Sequence, residues 1–464
     1  MTDGRPFREL LRRRALSDGE RPAVVTRERA LGYRELAEAA AAASERLRAA
    51  GVGSGARVAL EFRNSAEYVI WFFGILEAGG VAVPLSPSTA PAERDALFRT
   101  GGVAWTVSPG GVAPTGAEAA AAGAGDDLAA LQFSSGSTGR PRAVPRTGAN
   151  FAADAEQFTA TLGIGPDDRF LGVAPFLHAF GELSYQAAFA AGASVIALPR
   201  FLPGPVLEAA LRFRPTVFLA TPGMIAALGA CALAAGEDGA FRALRYCICS
   251  GGSLGREAHD GFVARFAVPV RPQYGSTETL AATVDLDDGF EEGRVGRPYA
   301  GVSVGVFDDE GTPLPAGVPG AVGICSAAAC AGYENDPVAT ADRFRGGWVF
   351  PGDRGVLDER SVLRLLGRSD VINVGGLKVD PLEVAGAIRA ELPVSAVEIT
   401  AGERGGAPAL VAFVEADPAA VTPAMVAAAC RARLSAHKVP AHVRVLREFP
   451  RNESGKVIRS SLVP

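Results

Sequence analysis

Short apolar runs alternate with helical segments up to about residue 290, and this alternation most constrains the fold. "ARVALEF" and "GGVAVPLS" read as strands around an apolar helix near residue 70, while "YRELAEAAAAASERLRAAG" reads as a helix stopped by Gly51. "SVIALP", "PTVFLA" and "LRYCICSGG" repeat the pattern further on, with helices between them. Buried strands separated by helices predict an α/β class with parallel sheets. After residue 290 the pattern changes. "GRVGRPYAGVSVGVFDDEGTPLPAGVPGAVGICS" is rich in Gly, Pro and short β runs, as in a small β-barrel-like part. From "GRSDVINVGGLKVDPLEVAGAI" onward, short strands and helices predict a separate α+β domain, giving domains at 1–368 and 369–464. Residues 107–127, of low complexity, are expected to form a surface loop.

Several function classes are excluded early. A net charge of −5 gives no general attraction to nucleic acid or to an anionic membrane. The longest apolar stretch, "YVIWFFGILEAGGVAVPL", is broken by Glu77, Gly79, Gly80 and Pro84 and reads as helix, turn and strand, not as a membrane span. The N-terminus lacks the apolar centre of a secretory signal, so a cytoplasmic protein is expected. Six cysteines are too sparse for a disulfide scaffold. Cys247 and Cys249 alternate within a strand and read as one buried face, without further metal ligands nearby. Of 46 basic residues only Lys378, Lys438 and Lys456 are lysines. Where lysine persists in so arginine-rich a chain, its compact charge is a candidate for special use.

Four motifs carry candidate chemistry. In "LQFSSGSTGRPR", Ser134, Ser135, Gly136, Ser137, Thr138 and Gly139 follow an apolar strand and lead to Arg142. Glycines let main-chain N–H groups close on an anion, hydroxyls add donors and Arg142 adds charge, as a phosphate needs. The alternative is a flexible Ser/Gly linker, and a GxxxxGK[ST] loop is excluded because no Gly-Lys-Ser/Thr follows. In "PQYGSTET", Tyr274 offers a face for a base, Thr277 a hydroxyl for a phosphate and Glu278 an oxygen ligand for Mg²⁺. Asp353 in "FPGDRG" can accept ribose hydroxyls. Lys456 in "PRNESGKVIRSSL" sits on a Gly-containing turn. Alone, the second also reads as a turn with an ordinary surface Glu, the third as an Asp-containing turn and the fourth as a solvated surface lysine.

Taken in order and spacing, with "LGYREL…RLRAAGVGSGARVAL" and "NSAEYVIWFFGILEAGGVAVPLSP" near the start, the motifs resemble the acyl-adenylate-forming superfamily: acyl- and aryl-coenzyme A ligases, stand-alone adenylation enzymes and luciferases. The resemblance implies a large N-terminal domain of two layered α/β sheets plus the barrel-like part, then a small mobile α+β domain carrying the catalytic lysine. It implies ATP and Mg²⁺ as cofactors, with coenzyme A or a phosphopantetheinyl carrier protein as acceptor. By this resemblance, Ser134 to Gly139 with Arg142 form the phosphate loop. Gly251, Gly252 and Ser253 line the adenine and acyl pocket, with Gln273, Tyr274 and Gly275 at the nucleotide. Thr277 meets the α-phosphate, Glu278 holds Mg²⁺, Asp353 and Arg368 bind ribose, and Lys456 meets both the carboxylate and the α-phosphate. His178 in "PFLHAFG" matches a position beside the acid pocket, which Phe180, Thr221, Gly251 and Gly275 also line; a core histidine is the alternative. Phe176 and Met224 are further wall candidates. The small domain is implied to rotate about a hinge near Ser369 and Asp370, opening a path for a thiol.

Three positions depart from the family pattern. Arg142 replaces the usual phosphate-loop lysine, Pro351 stands where Thr is common, and "GRSDVINVGG" is one residue shorter than the common hinge. Relatives that activate α-amino acids place an Asp in the segment matching "PFLHAFG", whereas here no carboxylate occurs before Glu182. An unpaired buried ammonium is costly, so an aryl or medium acyl acid is expected. The expected reaction is AMP-forming activation of that acid with release of pyrophosphate, then transfer to a thiol, in a role in secondary metabolism. The alternatives are transfer to a non-thiol acceptor such as an amine, or activation of a group other than a carboxylate.

Overall fold

The computed structural model describes residues 7–89, 91–118, 127–134, 142–234, 236–368, 372–374, 377–379, 381–404, 407–434, 436–452, 455, 457–458 and 461–462. Two compact units emerge: Met1–Val304 with Gly323–Pro351 and Ser361–Leu363, and Gly305–Val322 with Gly352–Arg360 and Arg364–Pro464. The expected boundary at 368/369 adjoins residues 369–371, which lie outside the described residues and include the expected hinge positions Ser369 and Asp370.

In the first unit the predicted α/β alternation is present as two mostly parallel sheets. One is built on Arg57–Leu60, flanked in parallel by Val81–Pro84 and Trp105–Ser108. Leu128–Ser134 continues it, and Gly111–Pro114 and Arg142–Thr147 close its edges antiparallel. The stretch expected as a loop from residue 107 therefore opens as a strand pair, Trp105–Ser108 against Gly111–Pro114, because Val107 packs into the sheet at full burial. The predicted apolar helix is Ala66–Glu77. The Ser65 side chain caps it by accepting the Tyr68 N–H at 3.1 Å, and nearly all of its large apolar side chains are buried.

The second sheet sets the site. Pro22–Val25, Ser194–Ala197, Arg169–Gly172, Val217–Ala220, Tyr246–Cys249 and Val270–Ser276 run parallel in that spatial order. The chain passes from Arg169–Gly172 to Ser194–Ala197 on one side, then returns to place Val217–Ala220 on the other. Open α/β sheets bind ligands beside such a reversal, outside the carboxyl ends of the strands. Cys247 and Cys249 both point into the core with Phe218, Phe241, Phe262 and Phe266, as their alternation predicts, and burial pushes both thiols far up in pKa. After residue 290 the Gly/Pro-rich chain forms short strands, with Arg294–Pro298 antiparallel to Leu280–Val284.

The second unit holds the three-stranded sheet Ala396–Arg404, Ala407–Glu415 and His442–Leu446 with helices Pro381–Glu391 and Pro423–Arg433. Along Ala407–Glu415 the period of two sends Leu410, Ala412 and Val414 into one core and Val411 and Phe413 into another with Phe449 and Leu462. No helix among the described residues is long and apolar enough to cross a membrane.

Candidate active site

The turn after Val270–Ser276 is held from within. A Cβ on Gly275 would lie 2.0 Å from the Leu280 carbonyl oxygen, so only glycine permits this approach. The Thr279 hydroxyl accepts the Ser276 N–H at 3.1 Å, and the Ser276 hydroxyl accepts the N–H groups of Glu278 and Thr279 at 3.2 Å each. Local hydroxyls thus satisfy the main chain and leave the Thr277 and Glu278 side chains half-exposed. Tyr333 donates its phenolic hydrogen to Glu278 Oε1 at 2.8 Å. Burial, and then the neighbouring Glu278 charge, push the Tyr333 phenol upward, so it stays a donor at neutral pH.

Below this rim lies a sealed polar floor. Arg146, fully buried, donates to the carbonyls of Thr277, Glu278 (3.5 Å) and Ala328 (3.1 Å). Glu182, 1% exposed, accepts from Gln132 Nε2 at 2.7 Å and from the Tyr185 hydroxyl at 3.0 Å. Desolvation pushes its carboxyl up to about 8 against those bonds and the Arg146 charge. Asp154 accepts the Ala281 N–H at 3.0 Å and is pushed up to about 7, again chiefly by burial. Desolvation lowers the Arg146 pKa in turn, and the surrounding acids oppose this.

Ser134 pairs antiparallel with Arg142, so these residues close a hairpin around the Ser/Gly stretch. Ser135, Gly136, Ser137, Thr138 and Gly139 lie outside the described residues. Arg142 stands 5.2 Å from the centroid of the Tyr333 ring and 3.7 Å from Asp336 Oδ2. The Glu334 N–H bonds the Ala143 carbonyl at 2.9 Å, and Cys330 N–H bonds the Glu278 carbonyl at 2.9 Å. The segment 328–336 therefore ties the hairpin to the 276–279 turn.

Other expected site residues gather at the carboxyl ends of the same strands. Thr221 follows Val217–Ala220 and caps the helix Pro222–Ala230. Gly251, Gly252 and Ser253 follow Tyr246–Cys249 and are exposed, with Gly251 at φ +89°. His178 follows Arg169–Gly172, exposed at the N-terminal end of helix Ala179–Ala191, and Phe180 is half-buried beside it. Phe176 is fully buried against Tyr68 and Tyr185, and Met224 is in the core. Gln273 accepts from the Tyr299 hydroxyl at 2.8 Å, and Tyr274 is 7% exposed.

Asp353 opens the strand Asp353–Leu357 and Arg368 ends Leu363–Arg368, both in the second unit. Lys456 lies outside the described residues. Its neighbour Val457 bridges Arg451, which pairs with Glu415 Oε2 at 2.8 Å. Sequence reasoning missed Arg146 and Tyr333. Arg146 follows Arg142 by four positions on a strand, hence on the same face, and this spacing was the available signal.

Among the described residues no group of three His, Cys, Asp or Glu side chains could cage a metal ion. Magnesium at such a site relies on one or two carboxylates plus phosphate oxygens, and Glu278, with Oε1 fixed by Tyr333, fits that requirement.

Comparison with known proteins follows the same lines. A family model described as AMP-binding enzyme matches residues 11–120 and 104–334. The 3-hydroxybenzoate–CoA/4-hydroxybenzoate–CoA ligase of Thauera aromatica is 28% identical, over 95% of this chain and 92% of that protein. The 3-hydroxybenzoate–CoA ligase of Aromatoleum sp. is 30% identical, over 94% and 92%. The crystal structure of ATP-bound MatB from Rhodopseudomonas palustris superposes with a TM-score of 0.82 at 26% identity, covering 98% of each chain.

Proposed function

This chain belongs to the AMP-binding enzyme family, and on that premise we propose that it joins an aryl carboxylic acid to coenzyme A. The reaction class is that of an AMP-forming, ATP-dependent acid–thiol ligase. A carboxylate oxygen attacks the α-phosphorus of ATP, the bond to the bridging oxygen breaks and pyrophosphate leaves. The acyl-AMP then meets the thiolate of coenzyme A, a C–S bond forms and AMP departs. The acid is already ionised at neutral pH, so the first step needs no general base.

Each residue's role is chiefly placement and charge. Ser134 to Gly139 and Arg142 hold the outer phosphates, Thr277 donates to the α-phosphate, and Lys456 bridges it to the attacking carboxylate. Tyr274 and Gly251 to Ser253 shape the adenine side; Asp353 and Arg368 take the ribose. Magnesium, held through Glu278, supplies neutralisation of the charge developing on the phosphates. We place the division between a larger domain, 1–368, and a smaller one, 369–464, with the hinge at Ser369 and Asp370. A reaction drawing on ATP and coenzyme A suits the cytoplasm.

The observation that carries the acid class is Glu182. Helix Ala179–Ala191 offers this carboxylate nearest His178, yet Glu182 is sealed against Gln132 and Tyr185 and driven toward its neutral form. It does not offer the anion that an α-ammonium needs. The two hydroxybenzoate ligases above are consistent with this reading. The test is acid-dependent exchange of pyrophosphate into ATP, over a panel of benzoates, medium-chain acids and α-amino acids. Benzoates are expected to lead; a preference for an amino acid overturns the class. Replacing Lys456 with Ala is expected to lower exchange at least ~100-fold, as for loss of a key transition-state contact. Near-normal exchange in that variant removes the lysine from the mechanism.

A further inference from the structure

A glutamate side chain has several rotatable bonds and Glu278 is only half-buried, so something must fix its rotamer if it is to present an oxygen to a cation at little entropic cost. We propose that Tyr333 is a positioning residue: its hydroxyl locks the Glu278 carboxylate through Oε1, and its ring braces the Arg142 guanidinium, so carboxylate and cation keep one relative placement. This rests on the reading of Glu278 as the magnesium ligand.

Several independent contacts make Tyr333 rigid. Its N–H bonds the Thr340 hydroxyl at 2.9 Å. The ring of Phe344 meets its own edge-on, 5.5 Å between centroids at 87°. The next residue, Glu334, is fixed twice, through its N–H to Ala143 and through its carboxylate to the buried Arg57. On one side of the ring lies Arg142, and at its tip the hydroxyl reaches Glu278. A tyrosine suits both tasks, since the ring face attracts a cation and the hydroxyl donates to an anion.

Tyr333→Phe keeps the ring, and with it both ring contacts, while deleting the one donor. The decisive measurement is Mn²⁺ affinity, read by electron paramagnetic resonance on the full chain saturated with α,β-methylene-ATP, which cannot complete the reaction. Wild type, Glu278→Gln and Tyr333→Phe are compared, with melting temperature recorded for each. Tyr333→Phe is expected to weaken Mn²⁺ ~10-fold, the lower end for loss of a group that orients a metal ligand. Its melting temperature and its KM for the acid are expected to stay at wild-type values. Loss of Mn²⁺ affinity in Glu278→Gln with none in Tyr333→Phe overturns the positioning role alone. Unchanged affinity in Glu278→Gln overturns the metal assignment, and the proposal falls with it. A Tyr333→Phe protein that loses Mn²⁺ affinity only together with its melting temperature marks a structural tyrosine and also overturns the proposal.

Discussion

Glu278 and Glu182 lie within electrostatic reach of the same buried cation, Arg146, and their surroundings give them opposite characters. Glu278 stays half-exposed on a turn, with one oxygen on a phenol. Glu182 is sealed, bonded through both oxygens, and burial drives it toward the acid form. The chemistry of a carboxylate is therefore set less by its nearest charge than by whether water reaches it. The rim carries groups that can meet a substrate, while the floor carries groups that hold the rim in shape.

The floor should fail hardest. Arg146→Met takes the side-chain donor from the Thr277 and Ala328 carbonyls, while the Glu278 carbonyl keeps the Cys330 N–H, and removes the cation that opposes desolvation of Asp154 and Glu182. A destabilisation of ~2–5 kcal/mol is expected, since each carbonyl left without its donor costs ~1–3 kcal/mol. It can be read from the urea midpoint, and exchange activity should fall with it. A melting curve like that of wild type would break the distinction between floor and rim.

At the rim the loss should appear in catalysis instead. Glu278→Gln is expected to reduce pyrophosphate exchange ~100-fold, about 2.7 kcal/mol in barrier. The unfolding midpoint should hold, because the neutral amide still accepts from Tyr333. A comparable loss of stability would place Glu278 with the floor.

Proton linkage offers a finer discrimination. The Glu182 carboxyl in the folded chain titrates near 8, above its ordinary value of 4.5, so between those pH values the folded chain holds a proton that the unfolded chain has released. Stability tied to this group is therefore complete below about 4.5 and falls as pH rises toward 8. Glu182→Gln mimics the protonated acid. Thermal unfolding followed from pH 5 to 8.5 should show variant and wild type close together at the acid end. The variant should gain steadily toward the alkaline end. Parallel curves would mean that Glu182 is ionised in the fold, and would reopen its use as an ammonium partner.

How much of this could be read from the chain alone depends on separation in sequence. Periodicity within ten residues identified the apolar helix Ala66–Glu77 and the shared face of Cys247 and Cys249. The "YGSTET" turn was readable because Ser276, Thr279 and Gly275 act on their own neighbours. Arg146 was not, since it bonds a carbonyl 131 positions away, and the Glu182–Gln132 pair spans 50. Nor was Tyr333, 55 positions from Glu278. Arginine and tyrosine on a strand or loop look the same whether exposed or sealed, and only the packing of distant segments decides between the two.

The smallest effect is expected at Arg142, and it asks whether the rim depends on charge or on shape. Arg142→Lys keeps the positive charge opposite Asp336 but gives up the planar group lying over Tyr333. Loss of that stacking is worth ~0.5–1 kcal/mol at a partly exposed site, a two- to five-fold rise in KM for ATP. The turnover number should hardly move, because an ammonium on a flexible stem can still meet phosphate oxygens. If Arg142→Lys instead lowers turnover tenfold or more, the guanidinium is locked in place as firmly as the floor. The comparison between a yielding rim and a rigid floor would then apply to Thr277 and Glu278 but not to the strand pair that Ser134 and Arg142 close.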